Sequence, residues 1–221
     1  MVDANEAWST EQTRAWLPEL GRLGVSVLEQ PLPEGADSLL EAVERAGRWT
    51  GLVSTARITH ATPAGVYART AERDWEDDSD IDPADWERGC RDIAWQLLHG
   101  SNKPQIVMGG GSKHFFGADQ LGERRDPGDD LVRDWLAAGA DRRYVTSAAQ
   151  LDDLQAGQPV LGLFASEHMT FMAEKTPDST EPTLTKMATT AVRLLEQGDA
   201  GYFLLVEGGR IDHAHHDAKP G

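Results

Sequence analysis

The stretch "LLVEGGRIDHAHH", Leu204 to His216, decides the fold class. An apolar run ends in a carboxylate, two glycines permit a tight turn, and helical spacing begins near Ile211, which reads as one strand–turn–helix unit. Three further apolar runs rich in Val, Ile, Leu and Phe occur at Gly51–Ser54, Gln105–Met108 and Val160–Phe164. Between the runs lie segments with helical spacing at Ser38–Ala46, Pro83–Leu98, Asp129–Ala138 and Pro182–Gln197. Strand and helix in alternation imply βαβ units, hence a mostly parallel sheet covered on both faces, and so a three-layer α/β/α architecture. Ligands of such sheets gather beyond the carboxyl ends of the strands. The places to search are therefore the segments after Ser54, Met108, Phe164 and Val206.

Composition narrows the function. The 221 residues carry 21 Lys and Arg against 37 Asp and Glu, a formal charge of −16. That balance argues against nucleic acid or an anionic membrane as partner, since both demand a basic patch. An anionic substrate would need metal ions or a focused cationic pocket. A single cysteine, Cys90, excludes an internal disulfide framework. No apolar stretch approaches the length of a membrane span, and the opening "MVDANEAWSTEQTRAW" shows neither a basic n-region nor an apolar h-region, so no export signal is expected in this sequence. The compartment stays unknown on these grounds.

After Val206, Asp212 and His216 stand four residues apart, so both side chains leave one face of the helix and can share a divalent ion, zinc being suited to carboxylate and nitrogen donors. His213 and Asp217 form a second such pair on a neighbouring face, and His215 points elsewhere. Acids near a helix start and exposed histidines would account for a random pair of this kind; the strand-end placement beside Glu207 favours the metal reading. After Ser54, "STARITHATPAGVYART" turns into a helix with Thr62 before Pro63, the order of an N-cap followed by proline at the first helical position. Capping alone would account for Thr62, yet its hydroxyl and the Glu207 carboxylate also suit a hard ion such as magnesium. His60 could line the same pocket or merely sit in the turn. Arg73 could grip two phosphate oxygens at once, as a planar guanidinium does.

The segments "STARITHATPAGVYARTAERDW", "IVMGGGSKHFF", "LGLF" and "LLVEGGRIDHAHH" closely resemble, in order, segments of the alkaline phosphatase family. The resemblance covers about residues 35–221, leaving 1–34 as an N-terminal segment of unclear relation to the fold. It implies a phosphomonoester hydrolase of three-layer α/β/α fold that uses two zinc ions and one magnesium ion, usually as a homodimer, with a periplasmic or extracellular parent enzyme. Carried over by position, it implies Asp212 and His216 as ligands of the first zinc, Thr62 and Glu207 as ligands of magnesium, and Arg73 as the phosphate clamp. His60 and His213 fall where the family tunes magnesium binding and contacts phosphate through water. "LGLF" is followed by Ala165 where calcium-binding members carry Glu, so no calcium site is expected, Glu181 alone being insufficient.

The nucleophilic serine of the family and the ligands of its second zinc are not recognisable in this sequence, which makes the chain alone an expected weak or inactive catalyst and a fragment or truncated member. Asp37-Ser38 imitates the nucleophile segment but reads as a helix N-cap. Two alternatives from other classes stand beside the enzyme. One is a non-catalytic metal- or phosphate-binding remnant. The other is a nucleotide-binding domain using "GGGSKHFF" as a phosphate loop, although Gly109 to Lys113 lacks Walker spacing and the three glycines read more simply as a turn.

Overall fold

A computed structural model describes residues 2, 3, 10–22, 28, 29, 43, 46–100, 103–196 and 201–218. By internal contacts the chain separates into two compact units, Met1–Ala42 and Val43–Gly221. The first holds strand β1 (Val2–Asp3) paired in parallel with β2 (Leu28–Glu29), and helix α1 (Thr10–Arg22). The sequence predicts a helix stopping near Pro18, with Ser9 and Gln12 as a capping box. The helix instead continues through Pro18 to Arg22, whose guanidinium bonds Glu19 across the turn (Nε–Oε2 2.9 Å), while Ser9 lies outside the described residues.

The second unit is built on five strands: β3 (Trp49–Arg57), β4 (Ile106–Gly110), β5 (Arg143–Val145), β6 (Val160–Leu163) and β7 (Tyr202–Glu207). They run in the order β5-β6-β4-β3-β7, and every pair is parallel. Four are the predicted apolar runs. The short β5, half-polar as "RYV", carries too little apolar signal to be read in advance.

Side chains alternate across this sheet with period two. Leu52, Val107, Leu161 and Leu163 join one cluster with Ala64 and Tyr67 of α2 (Ala61–Tyr67), Leu97 of α4 (Ile93–His99) and Trp135 of α5 (Leu131–Ala137). Val53, Ile106, Met108 and Val160 join the opposite cluster with Met187, Ala191, Leu194 and Leu195 of α6 (Leu184–Leu195). The α6 residues repeat at i, i+4, i+7 and i+8, the stripe of a helix lying on a sheet. Two apolar faces with helices on each are the three layers expected from sequence.

The predicted single helix Pro83–Leu98 is two helices, α3 (Pro83–Glu87) and α4. Gly89 adopts φ +99°, which ends α3, and the Asp92 carboxylate accepts from Trp95 N–H to start α4 afresh. The predicted Ser38–Ala46 helix, and with it Asp37-Ser38, falls largely outside the described residues. Among the described residues strand β7 lies at the edge of the sheet order and is unlike the interior strands: β4 and β6 are buried throughout, whereas β7 is only half-buried and Val206 is 46% exposed.

Candidate functional site

At the carboxyl ends of β3 and β7, Ser54 pairs in register with Glu207. The buried Ser54 hydroxyl donates to Glu207 Oε2 at 2.5 Å, so the carboxylate is aimed by the strand beside it. The helix α7 (Gly209–His216) starts at once, with Gly208 as its N-cap and the Arg210 N–H donating to Thr55 Oγ1 at 3.0 Å. A Cβ at Gly209 would stand 3.0 Å from Ala56 Cβ and 3.1 Å from Glu207 Oε2; glycine is what lets the helix start lie this close to β3. The observed start precedes the predicted Ile211 by two residues.

Across α7 the candidate ligands divide. Asp212 and His216 face each other (Oδ2–Nε2 3.5 Å) and both are largely exposed. His213, one residue on from Asp212, turns toward the sheet, its ring centroid 5.3 Å from His60 and 4.2 Å from His168. On the other side, Arg210, Ile211, Ala214 and His215 line a mainly apolar cavity of about 570 Å³ with Met169 and Phe171. Asp217 ends the helix.

Thr62 is not the N-cap that sequence order predicts. His60 occupies that position in extended conformation (φ −70°, ψ 162°) and its carbonyl accepts from Ala64 N–H at 2.9 Å. Thr62 therefore sits in the first turn, exposed, with Pro63 after it where a missing N–H still costs nothing. Its hydroxyl is not used in capping. Arg73 reaches the His60 ring (Nη2–Nε2 3.3 Å) and approaches Asp74 at 4.0 Å.

Sequence reasoning missed His168. The segment after β6 crosses the end of β4 and returns to β3, where Met169 N–H donates to Thr55 O and Arg57 N–H donates to His168 Nδ1 at 3.0 Å. Three imidazoles, of His60, His168 and His213, thus bring ligand atoms within 4.8 Å of one another. Burial, then the Arg57 charge, disfavours protonation of His60 and His168, the latter held down to about 3; burial and Arg210 depress His213. These rings stay neutral at physiological pH. A signal existed in "ASEHM": a histidine soon after a predicted strand end.

Beneath them lies a buried polar network. Arg57 grips Glu76 with two nitrogens (2.8 and 2.5 Å), Thr59 donates to the same carboxylate at 2.5 Å, and His114 bonds Asp77 (Nδ1–Oδ2 2.6 Å). The other His114 nitrogen lies 3.2 Å from Glu76 Oε2 but off the hydrogen-bonding direction, so that attraction is coulombic. Burial opposes the His114 charge, but Asp77 and Glu76 outweigh it and push its pKa up to about 9. Glu76 is correspondingly driven well below the carboxylate range, because His114, Arg57 and Thr59 overcome its burial.

The loops "ERDWEDDSDIDPADWE" and "GERRDPGDD" read as solvated connections, and this reading is corrected. Glu76, Asp77 and Asp78 are buried, and Arg124 is only 4% exposed, bonded to Asp129 at 2.6 Å and Asp92 at 3.1 Å. Opposite charges some 30 to 40 residues apart, Arg124 with Asp92 and His114 with Asp77 and Glu76, neutralise one another here, which composition by segment does not reveal.

The glycine-rich segment is also corrected. Gly109 and Gly110 are strand residues, and only Gly111 turns, at φ +94°. A Cβ at Gly109 would meet Ile58 Cγ2 at 2.6 Å and Ser54 O at 2.9 Å. The N–H groups of Gly111 and Ser112 donate to Ala165 O at 3.0 Å, and Lys113 pairs with Glu167 and Glu123. These donors are spent on protein, so the loop does not cradle a nucleotide phosphate. Glu181 is likewise engaged, by Thr170 and Lys175.

A sequence model of the family described as alkaline phosphatase matches residues 19–221. The membrane-bound alkaline phosphatase of Bombyx mori is 38% identical over 81% of this chain and 35% of its own length; the tissue-nonspecific isozyme of Homo sapiens is 35% identical over 82% and 37%. Among solved structures, alkaline phosphatase from Thermus thermophilus superposes with a TM-score of 0.63 at 31% identity, covering 80% of this chain and 33% of that one. The cold-active enzyme of Shewanella sp. gives 0.61 at 30%, covering 81% and 36%. A variant of the TAB5 alkaline phosphatase, 22% identical, holds Mg in its M3 site. The chain spans little more than a third of the length of the curated relatives it matches.

Proposed function

Because this chain belongs to the alkaline phosphatase family, we propose that it supplies the phosphate clamp and part of the metal set of a phosphomonoester hydrolase. The observation that carries this reading is the convergence, at the carboxyl ends of β3 and β7, of Arg73, His60 and His213 with the ligand pair Asp212/His216 on the same helix as His213. We assign residues 35–221 to one α/β/α domain, with 1–34 outside it, and a homodimeric, extracytoplasmic parent enzyme.

The donor sets suit the ions the resemblance implies. Asp212 and His216 offer one carboxylate oxygen and one imidazole nitrogen from adjacent turns, half of a tetrahedral zinc set. Glu207, fixed through Oε2 by Ser54, keeps Oε1 to offer with the exposed Thr62 hydroxyl, a hard oxygen set for magnesium. Bound there, the ions would lower the pKa of a nucleophilic hydroxyl and neutralise charge on phosphoryl oxygens. Arg73 then orients two of those oxygens with its planar fork, and His213 holds water against a third.

A nucleophilic serine and second-zinc ligands are not recognisable in these 221 residues. The chain alone is therefore expected to turn over weakly or not at all, which is the observation favouring a metal- and phosphate-binding remnant as the second reading. Hydrolysis of p-nitrophenyl phosphate with zinc and magnesium at alkaline pH separates the two. A rate well above the metal-only control, left intact by Arg73→Ala, would show the site assignment to be wrong.

A further inference from the structure

In a chain of net charge −16, three arginines converge on three imidazoles. Arg73 Nη2 lies 3.3 Å from His60 Nε2, Arg210 Nη1 lies 3.1 Å from His213 Nδ1, and Arg57 Nη1 lies 2.7 Å from His168 Nε2. A guanidinium only donates, so a ring nitrogen facing one must be the acceptor, and the proton of the neutral ring is driven to its other nitrogen. Arginine contact thereby fixes the tautomers of His60 and His213 and makes each present an N–H. A cluster of guanidinium groups and outward imidazole N–H groups suits an anion; a metal cation would meet three fixed positive charges.

His168 departs from this pattern in an informative way. Its Nδ1 faces the Arg57 backbone N–H at 3.0 Å while its Nε2 faces the Arg57 guanidinium at 2.7 Å. A neutral imidazole has one acceptor nitrogen, so one of these contacts opposes two N–H groups. The guanidinium is otherwise anchored, through Nε and Nη2, on the buried Glu76 carboxylate, and Nη1 has a long approach of 3.4 Å to Glu167, itself held by Lys113. An anion accepting from Nη1 would relieve the conflict, letting His168 accept from the backbone and donate from Nε2.

We propose that Arg57 and His168 form a further part of the phosphate pocket, Arg57 Nη1 and His168 Nε2–H both donating to a phosphate oxygen beside those gripped by Arg73. This rests on the phosphate reading of Arg73, His60 and His213 above. No bond is made or broken; Arg57 changes acceptor and His168 keeps its backbone bond. Arg210, stacked 3.5 Å over the Phe171 ring, stays in place as the fixed partner of His213.

The test uses the full 221-residue chain with zinc and magnesium and inorganic phosphate as the probe, read by titration calorimetry and by ¹⁵N shifts of the imidazoles. His168→Asn retains an oxygen to accept from the Arg57 N–H but lacks the Nε2 donor; Arg57→Lys keeps the charge but loses the fork. Each is expected to weaken phosphate binding about tenfold, the effect of losing one hydrogen bond to a charged group, with unchanged circular dichroism and thermal midpoint for His168→Asn. The His168 ring nitrogens should shift on adding phosphate to the unsubstituted chain. Binding within twofold of wild type in His168→Asn, or a silent His168 ring while His213 responds, would overturn the inference and leave the Arg73 reading standing. Loss with His168→Asn but not with Arg73→Ala would overturn the Arg73 reading and, with it, the placement of this oxygen beside those that Arg73 grips. An unsubstituted chain that binds no phosphate refutes this inference outright, while the metal assignments are judged separately by the zinc titration.

Discussion

Glu76 and Asp212 are both carboxylates set beside a histidine, and they live in opposite worlds. Glu76 is 6% exposed, held by two arginine nitrogens and a threonine hydroxyl, with His114 against it and Asp77 behind. The Asp212 side chain is 72% exposed and meets His216, itself 79% exposed, at 3.5 Å. The inner group is balanced in charge, Arg57 and His114 against Glu76 and Asp77. The outer pair is the one proposed above as zinc ligands. Buried pairs of the first kind are costly to break, whereas exposed pairs of the second kind contribute little until an ion organises them.

That contrast can be broken most decisively from the inside. Glu76→Ala strands the part-buried Arg57 guanidinium and leaves His114 with Asp77 alone, and should cost about 3 kcal/mol in urea unfolding. Asp212→Ala in metal-free buffer should leave the midpoint where it was. Equal losses in both variants would erase the distinction.

Zinc sharpens the outer half. At a hundredfold excess over its dissociation constant it should stabilise the chain by about 2.7 kcal/mol, and His216→Ala should remove most of that gain. A thermal shift retained in full by His216→Ala would move the zinc site away from α7.

The pH response belongs to the inner half. The His114 pKa is raised in the folded state to about 9 from an ordinary value near 6.5, so its contribution is fully present below that ordinary value and is lost as pH rises through 9. Unfolding free energy should fall between pH 7 and pH 9.5 by on the order of 2 kcal/mol, and His114→Leu should flatten that slope. Glu76 has the opposite sign: its stabilisation is present above the usual carboxylate range and fades only in strong acid.

The smallest effect joins the two regions. Ser54→Ala removes the donor to Glu207 and should cost about 1 kcal/mol, with magnesium affinity lowered because the carboxylate is no longer aimed. A magnesium titration unchanged by Ser54→Ala would show that Glu207 orients itself.

The outer half was the more legible in sequence. Asp212/His216 spacing and Glu207 at a strand end are local patterns, and local patterns survive in a string of letters. So was the sheet, because continuous apolar runs such as those holding Leu52–Val53 and Ile106–Val107 mark strands covered on both faces. The inner half was misread because its partners are distant in the chain: Glu76 meets His114, Arg124 meets Asp92, and an acidic loop looks solvated until the cations that bury it are found. His168 was missed for a related reason, since its position depends on a loop that crosses β4 before returning to β3. Thr62 went astray by a two-residue shift in the helix start, the scale on which capping residues are easily confused.

Strand β7, with Val206 half in water and Ile211 66% exposed just beyond it, has a consequence for the molecule in bulk. An edge strand with apolar side chains is a template on which another strand can add. What opposes this here is colloidal: copies bearing sixteen net negative charges repel one another at long range. Salt shortens that repulsion to about 8 Å at physiological ionic strength, so the edge is guarded by a field that the solvent can switch off.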